Sequence, residues 1–327
     1  MEIVVNTTGT AIKRADSNFV VETLDGCQKI PAEGVSAIHL CKGAQIASDA
    51  VMLAIEREID VLFVGKGGDV AGRVWSHRYG SISSIRKGQL LFTQGADAVQ
   101  WIEEVLAYKV SNQQALLLML DSDDPAVLTE KTRAINRLES YRTKIASLGG
   151  EYLSDMASTL RGWEGIASRI YFATITQFLP EPYRYESRSQ HPAMDVFNAM
   201  LNYGYGILYA RIESALIRVG IDPYIGVLHR DEYNRPVLVY DIIERYRIWV
   251  EYVVCMLAMQ GVITAECYSI HDDGSCWLEP LGRRILIQSL NDYLEETIEV
   301  DGNIRSRQYQ IFLYVQQLAQ IFKELQS

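Results

Sequence analysis

At 327 residues the chain is long enough for two domains, and a composition of 48% hydrophobic and 22% charged residues is that of an ordinary globular protein. No run reaches the roughly 18 continuous apolar residues of a membrane span, and the start, Met1-Glu-Ile-Val-Val-Asn, has no basic leader, so neither a membrane anchor nor a secretory signal is expected. A net charge of −10 argues against an indiscriminate nucleic-acid coat; nucleic-acid contact would need a local basic surface or a partner.

The first part of the chain reads as β-rich. Glu2-Ile-Val-Val, Phe19-Val-Val-Glu-Thr-Leu and Ala37-Ile-His-Leu are short runs of strand-forming residues. They are separated by turn signals at Thr8-Gly9, Asp25-Gly26 and Pro31 to Gly34. A short helix is expected from Ser48 to Glu58 with Ser48 as its N-cap, then a buried strand at Asp60-Val-Leu-Phe-Val. Gly65-Lys-Gly-Gly lacks the spacing and the Ser/Thr of a nucleotide-binding loop and reads as a turn. This places a β-rich domain at residues 1–76 and a polar linker at 77–88.

From Ala98 onward apolar residues recur at helical spacing. Helices are expected over Thr129–Leu148, Tyr152–Phe178 and Ala193–Val219, the last closed by Gly220. A further helix is expected from Pro236 to Gly261, and the final ones over Arg283–Glu299 and Ile304–Leu325. The fold class is therefore α+β, with a small N-terminal β-rich domain and a larger all-helical C-terminal domain at 89–327. Five cysteines without Cys-x-x-Cys spacing fit reduced thiols in a cytoplasm better than a disulfide framework.

Candidate chemistry concentrates in three places. Glu164 lies in Leu160-Arg-Gly-Trp-Glu-Gly, His229 ends Gly226-Val-Leu-His, and Asp241 and Glu244 lie in Val239-Tyr-Asp-Ile-Ile-Glu. Carboxylates with one imidazole suit a hard or borderline divalent cation, Mg²⁺ or Mn²⁺, and the imidazole tilts the choice toward Mn²⁺. Each element also has an ordinary explanation: a solvated acidic helix face for Asp241 and Glu244, an incidental histidine, a partly sheltered glutamate beside Trp163. Gly162 and Gly165 imply a close approach to the helix backbone, by a neighbouring helix, a DNA strand or the metal site. Asn198 and Asn202 share a helix face and are candidates for hydrogen bonds to metal ligands or phosphate. Every lysine-or-arginine position from Arg184 to Arg247 is arginine; Arg230, Arg245 and Arg247, beside the acids and the imidazole, rank first for phosphate.

Together these segments resemble the CRISPR-associated spacer-acquisition integrase family, its catalytic subunit. The resemblance runs along nearly the whole chain. It includes Gly162 to Gly165, Asn198 to Tyr205, Asp222-Pro-Tyr-Ile-Gly-Val-Leu-His229 and Val237-Leu-Val-Tyr-Asp-Ile-Ile-Glu244. Weaker echoes are Arg86-x-x-Gln89 and Lys109-Val-Ser-Asn-Gln113. The Arg245-Tyr246-Arg247 run departs from the family pattern at its first position, and the acidic net charge departs from its more basic members.

The resemblance implies a homodimer through the N-terminal part and metal binding by Glu164, His229 and Glu244, with Asp241 as a further acid close by. It implies a partner, the small ferredoxin-like second CRISPR-associated protein, and integration of short DNA duplexes into the CRISPR repeat. The expected reaction is transesterification of a phosphodiester by a 3′-hydroxyl. The competing expectations are a hydrolytic, structure-specific DNA nuclease and a non-catalytic DNA-binding assembly subunit.

Overall fold

The computed structural model describes residues 1–65, 70–74, 83–229, 235–300 and 302–325. Linker residues 77–82, Arg230 and all but the first residue of Gly65-Lys-Gly-Gly lie outside the described residues. The chain divides into two compact units, Met1–Ser81 and Ile82–Ser327.

In the first unit the β-branched runs form β1 (Glu2–Val5), β2 (Ala11–Ala15), β3 (Asn18–Thr23), β4 (Gly26–Pro31), β5 (Ala37–Cys41) and β6 (Gln45–Ile46). They are followed by α1 (Ser48–Glu56), β7 (Asp60–Val64) and β8 (Val70–Arg73). The strands make two four-stranded sheets, ordered β1-β5-β7-β8 and β4-β3-β2-β6. β1, β5 and β7 run parallel, and β8 returns antiparallel. In the other sheet β2, β3 and β4 form an antiparallel meander, and β6 lies parallel to β2. Ile12 and Phe19 of one sheet, Ile38, Leu40 and Val61 of the other, and Leu53 of α1 share one core. The N-cap of α1 is Ala47, without a side-chain cap, and Ser48 is the first helical residue rather than the expected cap.

The second unit is mostly helical, in agreement with the expected fold class. Its elements are α2 (Ser83–Gln94), α3 (Ala96–Met119), α4 (Pro125–Ala146), α5 (Leu153–Ile175), α6 (Val196–Val219), α7 (Val237–Ile243) and α8 (Arg247–Met259). These are followed by β9 (Tyr268–Ile270), β10 (Cys276–Leu278), α9 (Pro280–Glu295), β11 (Thr297–Val300), β12 (Asn303–Ser306) and α10 (Arg307–Glu324). α6 is the hub. It is buried on most of its circumference and packs against α7, α8, α9 and α10, as a helix apolar all round must. Asp195 caps its start by accepting the Asn198 N–H at 2.7 Å, and Gly220 ends it at φ 90°, a left-handed conformation open to glycine. No helix among the described residues is long and apolar enough to cross a membrane.

Four differences from the sequence reading have physical causes. The expected linker is helical from Ser83, because α2 packs its Gly88 directly on the backbone of α10. β11 and β12 pair antiparallel where helical periodicity on either side obscured them, and a second antiparallel pair joins β9 with β10. The C-terminal unit is thus not wholly helical. Among the described residues nothing lies within 4 Å of a Cβ built at Gly162 or Gly165, so no described helix explains them. Finally, the helix expected from Pro236 to Gly261 is broken at Glu244–Tyr246 into α7 and α8.

A methyl group at Gly88 would stand 1.7 Å from the Phe322 carbonyl oxygen. Backbone cannot yield as a side chain can, so Gly88→Ala should destabilise the helical unit by about 1–3 kcal/mol or more. An unchanged melting temperature would contradict this packing.

Candidate active site

The centre of the site is built by α3, α5 and the α7–α8 junction. Ile102, Leu106, Val110 and Leu117 of α3 are core residues, and Lys109 and Gln113 lie on that same buried stripe. The Lys109 ammonium reaches two carboxylates at once: Glu164 of α5 and Glu244 at the end of α7. Burial would discharge this lysine, but the charges of Glu244 and Glu164 outweigh burial and hold its proton more tightly than usual.

Glu164 is the more open of the two acids, with 26% of its side chain exposed against 8% for Glu244. Its Oε1 also accepts the Ser168 hydroxyl at 2.7 Å, one turn along α5. Glu244 Oε1 accepts Arg247 Nε at 2.8 Å. Burial pushes the Glu244 carboxyl up, but Arg247 and Lys109 outweigh it and bring it down to about 2. Glu244 Oε2 is buried without a hydrogen bond; its contact is the Lys109 ion pair.

The helix break follows from this packing. Asn112 of α3 donates to the Arg245 carbonyl at 3.3 Å, while Arg245 and Tyr246 donate to the carbonyls of Ile242 and Ile243 at 3.1 and 2.8 Å. The chain therefore turns tightly at Glu244 with its freed carbonyl satisfied from another helix. Asp241 and Glu244 consequently serve different partners instead of forming one acidic helix face, and Glu244 stands at the end of its helix rather than in its first turns.

Asp241 is fully buried and organises the segment carrying His229. Its Oδ2 accepts the N–H groups of Val227 and Leu228 at 2.6 and 3.2 Å, and its Oδ1 accepts the His229 N–H at 3.1 Å. Oδ1 also lies 2.7 Å from His229 Nδ1. Asp241, expected as a further acid close to the metal, has both of its oxygens engaged by the His229 segment and ring. Arg161 of α5 fixes the same segment by donating to the Leu228 carbonyl at 3.0 Å. Fully buried Gln89 of α2 binds its start, donating to Asp222 and Ile225 carbonyls at 2.7 and 3.1 Å and accepting the Asp222 N–H at 3.0 Å. Gln89 and Lys109 both fell in the family echoes, and both carry a sequence signal: a polar residue on the apolar stripe of a helix.

Burial favours the neutral His229 ring, yet the bond and charge of Asp241, with the charge of Glu244, outweigh it and raise its pKa above 6.5. The imidazole thus shares the electrostatic neighbourhood of Glu244, which shares Lys109 with Glu164. Among the described residues no three His, Cys, Asp or Glu side chains are gathered closely enough to hold a metal ion outright.

The residues nonetheless fit a divalent cation. Two carboxylates and an imidazole are the appropriate donor types, and a carboxylate holding His Nδ1 is the usual support for a ligating Nε2.

The remaining candidates divide. Arg247 is held by Glu244, the Tyr209 hydroxyl at 3.2 Å and the Tyr205 ring at 4.6 Å. Arg245 is half-buried, its guanidinium between the rings of Tyr108 and Tyr314 at 4.1 and 4.9 Å. Asn198 and Asn202 do not face the acids. Both accept from Arg188, and their amide groups donate to Ser187, Ser189 and Gln190 carbonyls and to Asp195, fastening the segment before α6. Asn198 is fully buried, with its amide engaged by Arg188, Asp195 and Ser187.

The fold and this centre define a two-unit α+β protein in which Lys109 and Arg247 neutralise a pair of carboxylates, with a partly exposed imidazole held by Asp241. The chain belongs to the Cas1 family: the family profile described as CRISPR associated protein Cas1 matches residues 3–292. It is 29% identical over 315 residues to CRISPR-associated endonuclease Cas1 1 of Archaeoglobus fulgidus, covering 92% of this chain and 90% of that one. It is 24% identical over 329 residues to CRISPR-associated endonuclease Cas1 of Mycobacterium tuberculosis, covering 99% and 94%. Among solved structures, a Cas1 protein from Thermotoga maritima matches with a TM-score of 0.80 at 20% identity, over 98% of this chain and 96% of that one. A casposase bound to integration product matches at 0.79 and 19% identity, over 99% and 90%. A Cas6-RT-Cas1–Cas2 complex matches at 0.80 and 23% identity, over 99% of this chain but 35% of the longer one. At these identities the structural likenesses show the shared fold.

Proposed function

We propose that this chain is a metal-dependent DNA endonuclease and integrase of CRISPR adaptation, joining the 3′-hydroxyl ends of short DNA duplexes to the CRISPR repeat. The observation carrying this reading is the Lys109 ammonium between Glu164 and Glu244: two acids from distant parts of the sequence share one cation, and the charge of Glu244 reaches His229. Relatives named as endonucleases and a structural neighbour bound to integration product support the reaction class.

Glu164, Glu244 and His229 Nε2 would hold Mg²⁺ or Mn²⁺. Once bound, the ion would lower the pKa of the attacking hydroxyl and offset charge on the phosphoryl oxygens. In the transesterification the incoming 3′-hydroxyl gives up its proton to solvent and a bond forms between its oxygen and phosphorus. The bond from phosphorus to the 3′-oxygen of the flanking strand breaks, and that oxygen takes up a proton. Asp241 keeps His229 Nδ1 engaged, so Nε2 is the ring nitrogen left for the ion. Arg245, flattened between two tyrosines, is the better phosphate candidate, because Arg247 is occupied by Glu244.

The N-terminal unit is proposed as the dimerisation surface of a homodimer. A neighbouring Cas1–Cas2 complex supports the small ferredoxin-like second protein as partner. The test is strand transfer by the purified chain with that partner and Mn²⁺, with products sequenced. Joined strands support the integrase; shortened strands alone indicate the hydrolytic nuclease. Glu164→Ala should lower joining about 10²-fold or more while leaving the melting temperature nearly intact, since Glu164 is partly exposed. Full joining by that variant would refute the metal-site assignment.

A further inference from the structure

We propose that Lys109 is an exchangeable internal cation: it holds Glu164 and Glu244 together until a divalent ion displaces it, and so sets the metal affinity of the site. This rests on the metal-binding reading above. Its basis is the geometry of the centre. One ammonium contacts both proposed ligand acids, and its side chain is only 8% exposed, so it lies inside the cluster rather than at its rim. A metal ion bound by both carboxylates would have to enter the space next to Nζ. Two cations cannot share those oxygens without strong repulsion in a poorly solvated site.

The two side-chain cations of the centre differ in freedom. Arg247 is held by Glu244, the Tyr209 hydroxyl and the face of Tyr205. Lys109 carries a compact charge on a flexible four-carbon stem, which can swing its head away while its Cα stays in α3. Glu164, the more open carboxylate, gives that movement a direction toward solvent. Lys109 is thus a positioning residue, acting on the reaction through the ligands. It would keep like-charged acids from separating in the metal-free protein and make ion entry an exchange of charge rather than an addition.

The test uses the full-length chain and Mn²⁺ alone, titrated by calorimetry. Lys109→Met keeps the length of the side chain and removes its charge. The expected result is Mn²⁺ binding at least about tenfold tighter than in the unaltered chain, because the competing cation is gone. Lys109→Arg, which keeps the charge, should stay near the original affinity. A merely structural lysine would give unchanged or weaker binding in Lys109→Met, and that result would overturn the inference while leaving the metal site standing. Absence of Mn²⁺ binding in both the unaltered chain and Lys109→Met would overturn the inference and the metal reading together.

Because Lys109→Met could unfold, amine acylation read by mass spectrometry on the unaltered chain supplies a second measurement. Lys109 should be protected without metal and become reactive in saturating Mg²⁺. Equal protection in both states overturns the exchange.

Discussion

Glu244→Ala should destabilise the helical unit by about 3–5 kcal/mol and abolish strand transfer, because removing one partner of a buried ion pair leaves the others uncompensated. Here two cations lose a partner at once, and Lys109 is left with Glu164. Lys109 is buried, and Arg247 relies on Glu244 for its nearest carboxylate contact. The pH dependence has a definite sign. The Glu244 pKa is lowered from 4.5 to about 2, so its contribution is present above the unfolded value and is lost as pH falls from about 4.5 toward about 2. Acid titration of the unaltered chain should show a stability loss in that window, and Glu244→Ala should lack that component. Thermal melts between pH 2 and pH 7 check both statements. A variant as stable as the parent would mean that the Lys109–Glu244–Arg247 cluster contributes little.

The second large effect is expected at Asp241. Asp241→Ala removes the acceptor for three backbone N–H groups, of Val227, Leu228 and His229, and for the His229 ring. Each buried donor left without a partner costs about 1–3 kcal/mol, so the segment should rearrange rather than stay in place. Metal affinity should fall about 10–100-fold, the usual consequence of losing the group that orients a ligating histidine.

The pH profile separates this from general damage. His229 has a pKa raised above 6.5, so the stability it contributes is present below the unfolded value and fades as pH rises through the raised one. A cation must displace the same proton, so Mn²⁺ affinity should climb with pH through that raised value. Losing Asp241 removes the main groups holding the proton, and the climb should shift to lower pH. Calorimetric Mn²⁺ titrations at several pH values read this directly; an unshifted profile would show that Asp241 does not govern the ring.

Much of this centre could be read from the sequence because unusual residues interrupt regular patterns. Glu164 stands between two glycines on a helix, and His229 closes an apolar run just before Asp241 and Glu244. The strands of the first unit were legible for the same reason: short β-branched runs between turn residues. Tertiary contacts decided what remained hidden. No glycine or proline marks the break at Glu244–Tyr246, since the freed Arg245 carbonyl is satisfied by Asn112, 133 positions earlier. Asp241 and Glu244, three residues apart, looked like a single acidic face, and only the break sends one to the His229 segment and the other to Lys109. Lys109 and Gln89 stood out as polar positions on apolar stripes, but which acid or carbonyl each would meet is a property of helix packing. Asn198 and Asn202 looked like ligand-facing amides until the segment held by Arg188 was in place.

The central claim is that Glu164, Glu244 and His229 hold one divalent cation. Crystals of the chain soaked in Mn²⁺, with anomalous diffraction recorded, test it most directly. A single strong peak bonded to both carboxylates and His229 Nε2, with the Lys109 ammonium withdrawn, is the predicted result. A peak at other residues, or three headgroups that stay apart with no peak between them at saturating Mn²⁺, would contradict the account.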